Sequence, residues 1–205
     1  MNTVAIVDYG MGNLDSVRRA VEECGGRAIV SGDAADIEAA DRIILPGVGA
    51  FPSGMQNLQS LELDKVLEDQ VRGEAAPFLG ICLGMQLLAS VGLEGGHTAG
   101  LNWIEGEVKR FEATETDVRI PHVGWNEVAP VRDSPLLAGI EANSDFYFVH
   151  SYHFACQADD DVVATTPYCG NFPSVVARGN VHAVQFHPEK SQRVGLRLLA
   201  NFLSI

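Results

Sequence analysis

Short apolar runs alternate with polar, helix-like segments through the first half of the chain. The runs predict strands over residues 4–8, 28–30, 42–45 and 77–79, and the segments between them predict helices over residues 16–21, 34–40 and 64–72. Asn13 or Asp15 is the expected N-cap of the first helix, and Gly25 and Gly26 end it. Strands that alternate with helices in this way predict βαβ units and a parallel sheet.

After residue 106 the pattern changes to strands joined by loops. The predicted strands cover residues 107–111, 146–152, 162–164, 174–177 and 181–186, and a last helix covers residues 193–202. The chain shows no internal repeat and no linker. We therefore expect a single α/β domain over residues 1–205, with three α/β/α layers and a mixed, mostly parallel central sheet extended by antiparallel strands.

Composition and charge narrow the class of protein. Of the 205 residues 46% are hydrophobic and 20% are charged, which is ordinary for a globular domain. The formal net charge of −13 argues against nonspecific binding to nucleic acid or to anionic membranes. No apolar stretch approaches the ~20 residues of a membrane span, and the first residues lack a basic region, so we expect no signal peptide. The four cysteines show no metal-binding spacing, and a reducing cytoplasm is the expected setting.

The segment from Gly80 to Gln86 is the strongest chemical signal in the sequence. A Gly-X-Cys-X-Gly turn joins a predicted strand to a helix expected to begin near Met85. This is the pattern of a nucleophile elbow, with cysteine in place of serine. Glycines permit so tight a turn, and the N-terminus of a helix favours a thiolate. The alternative is that Cys82 is a buried structural thiol, as many lone cysteines in apolar segments are.

A second segment, residues 185–190, offers a base for that cysteine. His187 follows a predicted strand, and open α/β sheets place their sites at strand ends. Glu189, held by the rigid Pro188, can orient the imidazole through its other ring nitrogen. Alone these residues are typical of a polar turn, but with Cys82 they predict a Cys–His–Glu triad.

A glycine-rich turn follows the third predicted strand. Residues 46–51 have the sequence Pro-Gly-Val-Gly-Ala-Phe, and the backbone N–H groups of such a turn can bind a developing oxyanion. Most glycine-rich turns serve only as turns. This one is not a Walker-type phosphate loop, because no Gly-Lys-Ser/Thr follows.

Six segments together resemble class I, triad-type glutamine amidotransferases. They are residues 8–14, 46–51, 80–88, 121–126, 147–152 and 185–191, so the resemblance covers nearly the whole chain. The elbow and the Gln-Phe-His-Pro-Glu-Lys-Ser run are specific to this family. The first and fourth segments narrow the resemblance to the glutaminase subunits of imidazole glycerol phosphate synthases. The resemblance implies the family's α/β fold and no cofactor.

The resemblance also implies a role for each matched residue. Cys82 would attack the side-chain amide of glutamine, His187 would transfer protons, and Glu189 would orient His187. Water would then hydrolyse the glutamyl thioester to glutamate. The oxyanion would be bound by backbone N–H groups of Leu83 and of Val48 or Gly49. In this family the glycine-rich strand rearranges before both donors point inward, which makes the glutaminase activity depend on the partner.

Further positions follow from the same resemblance. The implied substrate-binding positions are Gln86, Glu94, Ser151 and Tyr152. Glu94 matches less closely, because residues 90–93 depart from the family's acidic stretch. The implied partner-facing residues are Asn13, Trp125, Tyr147 and Lys190. For Trp125, in a predicted Gly-Trp-Asn turn, the alternative is a place in the core, and for Lys190 it is a solvated surface position.

Four histidines could be taken for metal ligands, namely His122, His150, His153 and His182. His150 and His153 are three residues apart on one predicted strand, so they should face opposite sides of a sheet. We therefore expect no metal site. The cysteines at positions 24, 156 and 169 have no flanking chemistry and are expected to be structural.

The sequence thus predicts a glutaminase subunit that passes ammonia to a separate synthase, because no domain for an acceptor substrate is evident. In histidine biosynthesis that partner would be a (βα)8-barrel cyclase, and the heterodimer would form imidazole glycerol phosphate and an aminoimidazole carboxamide ribotide. One alternative is a paralogous subunit that supplies ammonia for amidation of surface sugars, because residues 103–107 and 150–154 fit the histidine enzyme loosely. Another is a non-catalytic regulatory or scaffolding subunit, against which the intact triad argues.

Overall fold

The computed structural model describes residues 2–113 and 119–205, and its strands form two sheets. In chain order the strands are β1 Thr3–Val7, β2 Arg27–Ser31, β3 Arg42–Gly47, β4 Phe78–Cys82, β5 Val91–Gly92, β6 Thr98–Ala99, β7 Gly106–Arg110, β8 His122–Pro130, β9 Ser144–His150, β10 Tyr152–Cys156, β11 Val162–Pro167, β12 Asn171–Arg178 and β13 Val181–Val184. The central sheet has the order β2-β1-β3-β4-β13-β12-β11-β8-β9, and a smaller sheet has the order β10-β7-β5-β6.

The central sheet divides into a parallel half and an antiparallel half. Neighbouring strands from β2 to β13 run parallel, whereas those from β13 to β9 run antiparallel. Because parallel strands end at the same edge, the turns that follow β3, β4 and β13 meet there. That edge holds the cysteine and the histidine of the predicted triad.

Helices cover both faces of the sheet. They are α1 Leu14–Glu23, α2 Ala34–Glu38, α3 Phe51–Ser60, α4 Leu63–Leu67, α5 Leu83–Gln86 and α6 Gln192–Phe202, and a π-helical turn over Glu68–Gly73 extends α4. The buried side chains of α1 and α6 belong to one apolar core, and those of α2, α3 and α4 belong to the other. The predicted three-layer α/β/α architecture is therefore confirmed. No helix in the described ranges is both long enough and apolar enough to cross a membrane.

The strand β1 shows why the parallel half is visible in the sequence. Val4 and Ile6 enter one core, whereas Ala5 and Val7 enter the other, and all four are fully buried. A strand buried on both faces must be apolar at consecutive positions. Short apolar runs therefore predicted the parallel strands to within a few residues.

Three predictions about local structure were wrong. Residues 146–152 do not form one strand, because the chain bends at Ser151 and passes from β9 in the central sheet to β10 in the smaller sheet. Trp125 lies in β8, a nine-residue strand, and not in a turn. The helix after the elbow begins at Leu83 and is only four residues long.

The helix α3 was not predicted, because its N-terminal cap comes from a distant part of the chain. Ala50 occupies the N-cap position and its side chain cannot accept a hydrogen bond. Instead, the backbone N–H of Phe51 donates to the carboxylate of Glu94 at 2.8 Å. Pro52 is tolerated in the first turn, where its missing N–H has no intrahelical partner to lose.

Candidate active site

Cys82 is the last residue of β4 and has the strained backbone of a nucleophile elbow. Its φ of +55° and ψ of −107° are unusual for a residue with a side chain. A Cβ on Gly84 would lie 1.8 Å from the carbonyl oxygen of Leu45, and one on Gly80 would lie 2.7 Å from the carbonyl oxygen of Gly84. Only glycine fits at these two positions, so the Gly-X-Cys-X-Gly spacing is a requirement of the turn.

The neighbouring strands bring the other predicted groups to the same edge. Gly47 of β3 is in register with Cys82, and Val184 of β13 is in register with Ile81 on the other side of β4. The glycine-rich turn therefore lies on one side of the cysteine. The segment that carries His187 lies on the other.

His187 and Glu189 form a buried pair. The Nδ1 atom of His187 lies 2.8 Å from Oε1 of Glu189, and the two side chains are 3% and 1% exposed. Because a carboxylate can only accept, Nδ1 carries a proton and Nε2 is the atom available for proton transfer. Nε2 is buried and has no hydrogen-bond partner of ordinary geometry, although the ring interacts with the nearby sulfur of Cys82.

Two neighbouring side chains raise the pKa of His187. Burial alone would lower its pKa, but hydrogen-bonding and charge interactions with Cys82 and Glu189 outweigh burial and raise the pKa of His187 to about 10. The imidazolium form is therefore favoured at neutral pH. A charged histidine beside a cysteine sulfur is the arrangement that a thiolate–imidazolium pair requires.

The loop that carries the pair is tied to β9 by two hydrogen bonds and is braced by a third within the loop. The backbone N–H of His187 donates to the carbonyl of Tyr147 at 2.9 Å. The hydroxyl of Ser191 donates to the carbonyl of His187 at 2.6 Å and accepts from the N–H of Tyr147 at 3.0 Å. These bonds hold the imidazole against the edge of the sheet.

A cavity of about 260 Å³ opens beside the cysteine. Its lining contains every predicted oxyanion and substrate position: Val48, Gly49, Cys82, Leu83, Gln86, Glu94, Ser151 and Tyr152, together with Val149 and His150. The volume and the mixed polar and apolar lining suit a small amino acid. The structure therefore brings together residues that are more than a hundred positions apart in sequence.

Glu94 and Gln86 are each held by a hydrogen bond to a backbone group. The Oε2 atom of Glu94 accepts from the N–H of Phe51 at 2.8 Å, which leaves a negative charge at the cavity wall. The Nε2 atom of Gln86 donates to the carbonyl of Tyr152 at 2.9 Å. The predicted placement of Glu94 is thus compatible with the structure despite its divergent flanking sequence.

The glycine-rich turn and the first residue of α5 both lie at the cavity wall beside Cys82. Leu83 is the first residue of α5, so its N–H has no partner within that helix. Gly49 has a φ of +110°, and a Cβ there would lie 2.7 Å from the side chain of Met11. The positive φ favours glycine at position 49, whereas the end of the flexible Met11 side chain could move away from a Cβ.

The sequence analysis missed a histidine pair beside the cavity. The Nδ1 atom of His122 lies 3.0 Å from Nε2 of His150, and Nδ1 of His150 lies 2.8 Å from the carbonyl of Tyr152. The Nδ2 atom of Asn126 lies 3.2 Å from Nε2 of His122. A carbonyl can only accept, so each ring donates through Nδ1 and accepts through Nε2. Both rings are therefore neutral.

The neutral state of the His122 and His150 rings is a consequence of their burial. Burial lowers the pKa of His150 to about 3 and the pKa of His122 to about 4, with no carboxylate beside either ring to reverse the effect. The prediction that His150 and His153 face opposite sides of one sheet was wrong, because they lie on different strands and both pack against the ring of Phe111. Among the described residues no cluster of three potential ligands could hold a metal ion.

Three of the four predicted partner-facing residues form one group on the antiparallel half. Trp125 and Tyr147 are paired across β8 and β9, with ring centroids 6.1 Å apart. The Nζ atom of Lys190 lies 5.8 Å from the centroid of the Tyr147 ring. Trp125 is 48% exposed, so the alternative that it belongs to the core is wrong. Asn13 is the N-cap of α1 and follows Gly12, which packs against the glycine-rich turn.

The site and the fold together define the class of the protein. The family described as "Glutamine amidotransferase class-I" matches residues 5–205. The solved structure of PurLQS from Thermotoga maritima superposes with a TM-score of 0.73 at 17% identity, covering 100% of this chain and 99% of that one. A structure described as a glutamine amidotransferase gives a TM-score of 0.76 at 19% identity, covering 98% of this chain and 97% of that one. The chain belongs to the class I glutamine amidotransferase family.

Sequence relatives narrow the assignment within that family. The imidazole glycerol phosphate synthase subunit HisH of Caulobacter vibrioides is 46% identical over 99% of this chain and 98% of that relative. The subunit of the same name from Moorella thermoacetica is 48% identical over 98% of this chain and 94% of that relative. Subunit HisH 2 of Pseudomonas aeruginosa is 43% identical over 98% of this chain and 99% of that relative. The chain is therefore a member of the HisH group.

Proposed function

We propose that this chain is the glutaminase subunit of an imidazole glycerol phosphate synthase and hydrolyses glutamine to glutamate and ammonia. One observation carries the proposal. Cys82, on a strained elbow at the wall of a cavity sized for an amino acid, lies beside a histidine whose pKa is raised by its interactions with Cys82 itself and with the buried Glu189. That arrangement supplies a nucleophile, an acid and an orienting group in one place.

In the first half of the proposed reaction, the Cys82 thiolate attacks the side-chain carbonyl carbon of glutamine. The carbonyl oxygen becomes negatively charged, and backbone N–H groups of Leu83 and of Val48 or Gly49 bind it. The imidazolium of His187 then gives its Nε2 proton to the amide nitrogen. The carbon–nitrogen bond breaks, ammonia leaves, and a glutamyl thioester remains on Cys82.

In the second half, neutral His187 takes a proton from water as the water attacks the thioester. The carbon–sulfur bond breaks, glutamate is released, and the proton taken from water restores the imidazolium beside the thiolate. Glu189 keeps Nε2 directed at the reacting atoms throughout, because its carboxylate holds the Nδ1 proton. No metal or cofactor takes part in this scheme.

We also propose how glutamine is held. The carboxylate of Glu94 attracts the α-ammonium group, and Gln86 contributes a polar contact from the same wall. Ser151 and Tyr152 also line the cavity and would contribute backbone groups. Because the Glu94 carboxylate also accepts a hydrogen bond from the N–H of Phe51, it is fixed to the N-terminus of α3.

The ammonia needs an acceptor, and we propose that a (βα)8-barrel cyclase receives it in a heterodimer. The products would be imidazole glycerol phosphate and an aminoimidazole carboxamide ribotide. The exposed group formed by Trp125, Tyr147 and Lys190, with Asn13, is the proposed contact surface. We propose a cytoplasmic setting, in keeping with four cysteines that carry free thiols.

The names of the relatives favour the histidine pathway over the amidation of surface sugars, since each is described as a subunit of imidazole glycerol phosphate synthase. The assembled triad argues against a purely scaffolding role. Product formation with a cyclase partner distinguishes these possibilities directly.

The proposal is tested by the variant Cys82→Ala in complex with the cyclase from the same organism. We expect glutamine-dependent synthesis to fall by about 10³-fold or more, because the covalent route is lost. Synthesis from added ammonium salt should stay within about twofold, since the cyclase site is untouched.

The variant Cys156→Ala is the matched control, because it removes another thiol at the end of β10 and should leave both rates unchanged. If both reactions fell together in Cys82→Ala, or if glutamine-dependent synthesis persisted, the assignment of Cys82 would be wrong.

A further inference from the structure

One buried amide at the site has no part in the mechanism above. Gln185 follows β13, lies two residues before His187 and is fully buried. Its Nε2 atom is 3.7 Å from the sulfur of Cys82 in donor geometry, and its Oε1 accepts from Nε2 of Gln86 at 3.0 Å. The Gln185 side chain therefore connects the nucleophile to a residue of the cavity wall.

The orientation of this amide follows from a backbone carbonyl. The carbonyl of Tyr152 can only accept, and it accepts from Nε2 of Gln86 at 2.9 Å and from Nδ1 of His150 at 2.8 Å. The second hydrogen on Nε2 of Gln86 goes to Oε1 of Gln185. The carbonyl end of Gln185 must then face Gln86, which leaves its NH2 group toward the sulfur. A flipped amide would set two donor groups against each other.

We propose that Gln185 is a positioning residue that donates a hydrogen bond to the Cys82 thiolate and, through its carbonyl, holds Gln86 at the cavity wall. A thiolate accepts hydrogen bonds better than a thiol does, so a buried donor favours the charged form. The inference rests on the proposed function, in which that thiolate is the nucleophile.

The two ends of the amide have separable consequences. Loss of the donor affects the sulfur, so it changes how Cys82 reacts even when no glutamine is present. Loss of the acceptor frees the side chain of Gln86, so it weakens the binding of glutamine. A side chain that only filled space in the core would affect neither reactivity nor substrate binding once the protein had folded.

The test measures alkylation of Cys82 by iodoacetamide as a function of pH, with the Cys82 peptide quantified by mass spectrometry. Two variants of the full chain are compared with the wild type. Gln185→Glu keeps the shape and an acceptor but replaces the donor by oxygen. Gln185→Met keeps the approximate length but removes both hydrogen bonds. The other titratable groups close to the sulfur, His187 and Tyr9, are unchanged in both variants.

We expect the midpoint of the alkylation profile to move to higher pH by about 0.5 to 1 unit in Gln185→Met, which makes alkylation about threefold to tenfold slower below the midpoint. The shift should be larger in Gln185→Glu, because an introduced carboxylate repels the thiolate. In the complex with the cyclase, KM for glutamine should rise in Gln185→Met, where Gln86 loses its partner.

Ser174→Ala is the matched control. Ser174 is fully buried next to Gln185, whose backbone N–H donates to the carbonyl of Ser174 at 2.9 Å, but its hydroxyl has no hydrogen-bond partner. Removing this hydroxyl should leave the alkylation profile in place.

If the Gln185→Met variant folds, as judged by circular dichroism, and its midpoint matches that of the wild type, the inference is wrong. That outcome is distinct from failure of the proposed function, which Cys82→Ala reports separately: loss of glutamine-dependent synthesis in Cys82→Ala with an unshifted Gln185→Met profile would overturn the role of Gln185 alone.

Discussion

His187 and His150 are both buried near the same cavity, yet their pKa values move in opposite directions. The pKa of His187 rises to about 10 because Cys82 and Glu189 outweigh the effect of burial. Burial lowers the pKa of His150 to about 3, and its partners, a backbone carbonyl and another imidazole, carry no charge that would reverse the effect. Burial disfavours the charged form of both rings, so the interactions of His187 with Cys82 and Glu189 make the difference.

The two regions accordingly suit different tasks. The region around His187 holds a mobile proton beside a sulfur, which is what acid–base catalysis needs. The region around His122 and His150 holds its protons in fixed hydrogen bonds from Asn126 to the carbonyl of Tyr152, which is what a rigid cavity wall needs. The same side chain therefore serves as a reactive group in one region and as a structural group in the other.

The largest expected effect on activity comes from removing the carboxylate beside His187, so that its surroundings resemble those of His150. Glu189→Gln keeps a hydrogen-bonding group of the same shape but removes the charge, so the pKa of His187 should fall and the wrong ring nitrogen can be protonated. We expect kcat for glutamine hydrolysis in the cyclase complex to drop by about 10²- to 10⁴-fold, as when the carboxylate of a triad is neutralised.

The exposed Glu141 provides a matched control, since Glu141→Gln removes the same charge from a side chain outside the triad and the cavity lining and should leave kcat unchanged. A Glu189→Gln enzyme with nearly full kcat would show that the carboxylate does not govern His187.

The reverse change, which places a carboxylate beside His122, should have an intermediate effect on the pKa of that ring. Asn126→Asp sets a carboxylate beside Nε2 of His122, in the place of an amide that now lies 3.2 Å away. The pKa of His122 should rise from about 4 by roughly one to two units, because an adjacent negative charge favours the imidazolium.

An NMR titration of the His122 ring measures this shift. The substitution also removes a hydrogen bond to the carbonyl of Pro167, which lowers stability without changing the sign of the pKa shift. An unchanged or lower pKa would mean that burial alone controls this region.

The smallest expected effect is that of removing the His122 ring on the free energy of unfolding. His122→Leu leaves Nε2 of His150 without its donor, so we expect a cost of about 1–3 kcal/mol at pH 7.5. The cost should shrink in acid. Folding lowers the pKa of His122, so below pH 6.5 the unfolded wild type binds a proton at this ring that the folded wild type does not bind. The wild type therefore loses stability as the pH falls. The variant has no imidazole at position 122 and does not lose this part of its stability.

Urea unfolding of the wild type and of His122→Leu, at pH 7.5 and at pH 5, measures how the difference between their free energies of unfolding narrows. The exposed His97 provides the control, because His97→Leu should show no comparable pH-dependent gap. A difference that widened toward acid would contradict the neutral assignment of His122.

For His187 the pH dependence has the opposite sign. Its raised pKa contributes stability that is complete below pH 6.5 and is lost as the pH rises toward about 10.

Much of the parallel half and the triad could be predicted from sequence for physical reasons. Strands such as β1 are buried on both faces and appear as apolar runs. The elbow allows only glycine at positions 80 and 84, so it leaves a visible spacing. Glu189 is only two residues from His187, so a local motif captures the pair.

The antiparallel half could not be predicted in the same way. The strand β8 has alternating exposed positions, and it turns the polar side chain of His122 inward, so its apolar pattern is weak. The cap on Phe51 comes from Glu94, and Gln185 meets Gln86 across 99 residues of sequence. Contacts of this kind depend on the assembled fold and leave no local pattern.

The most direct test of the account is an NMR titration of His187 in the wild-type chain, with both ring nitrogens labelled with nitrogen-15. We expect a ring that is protonated on both nitrogens at pH 7.5 and that loses one of these protons only as the pH approaches about 10. A ring that is neutral at pH 7.5 and titrates at or below pH 6.5 would contradict this assignment of His187.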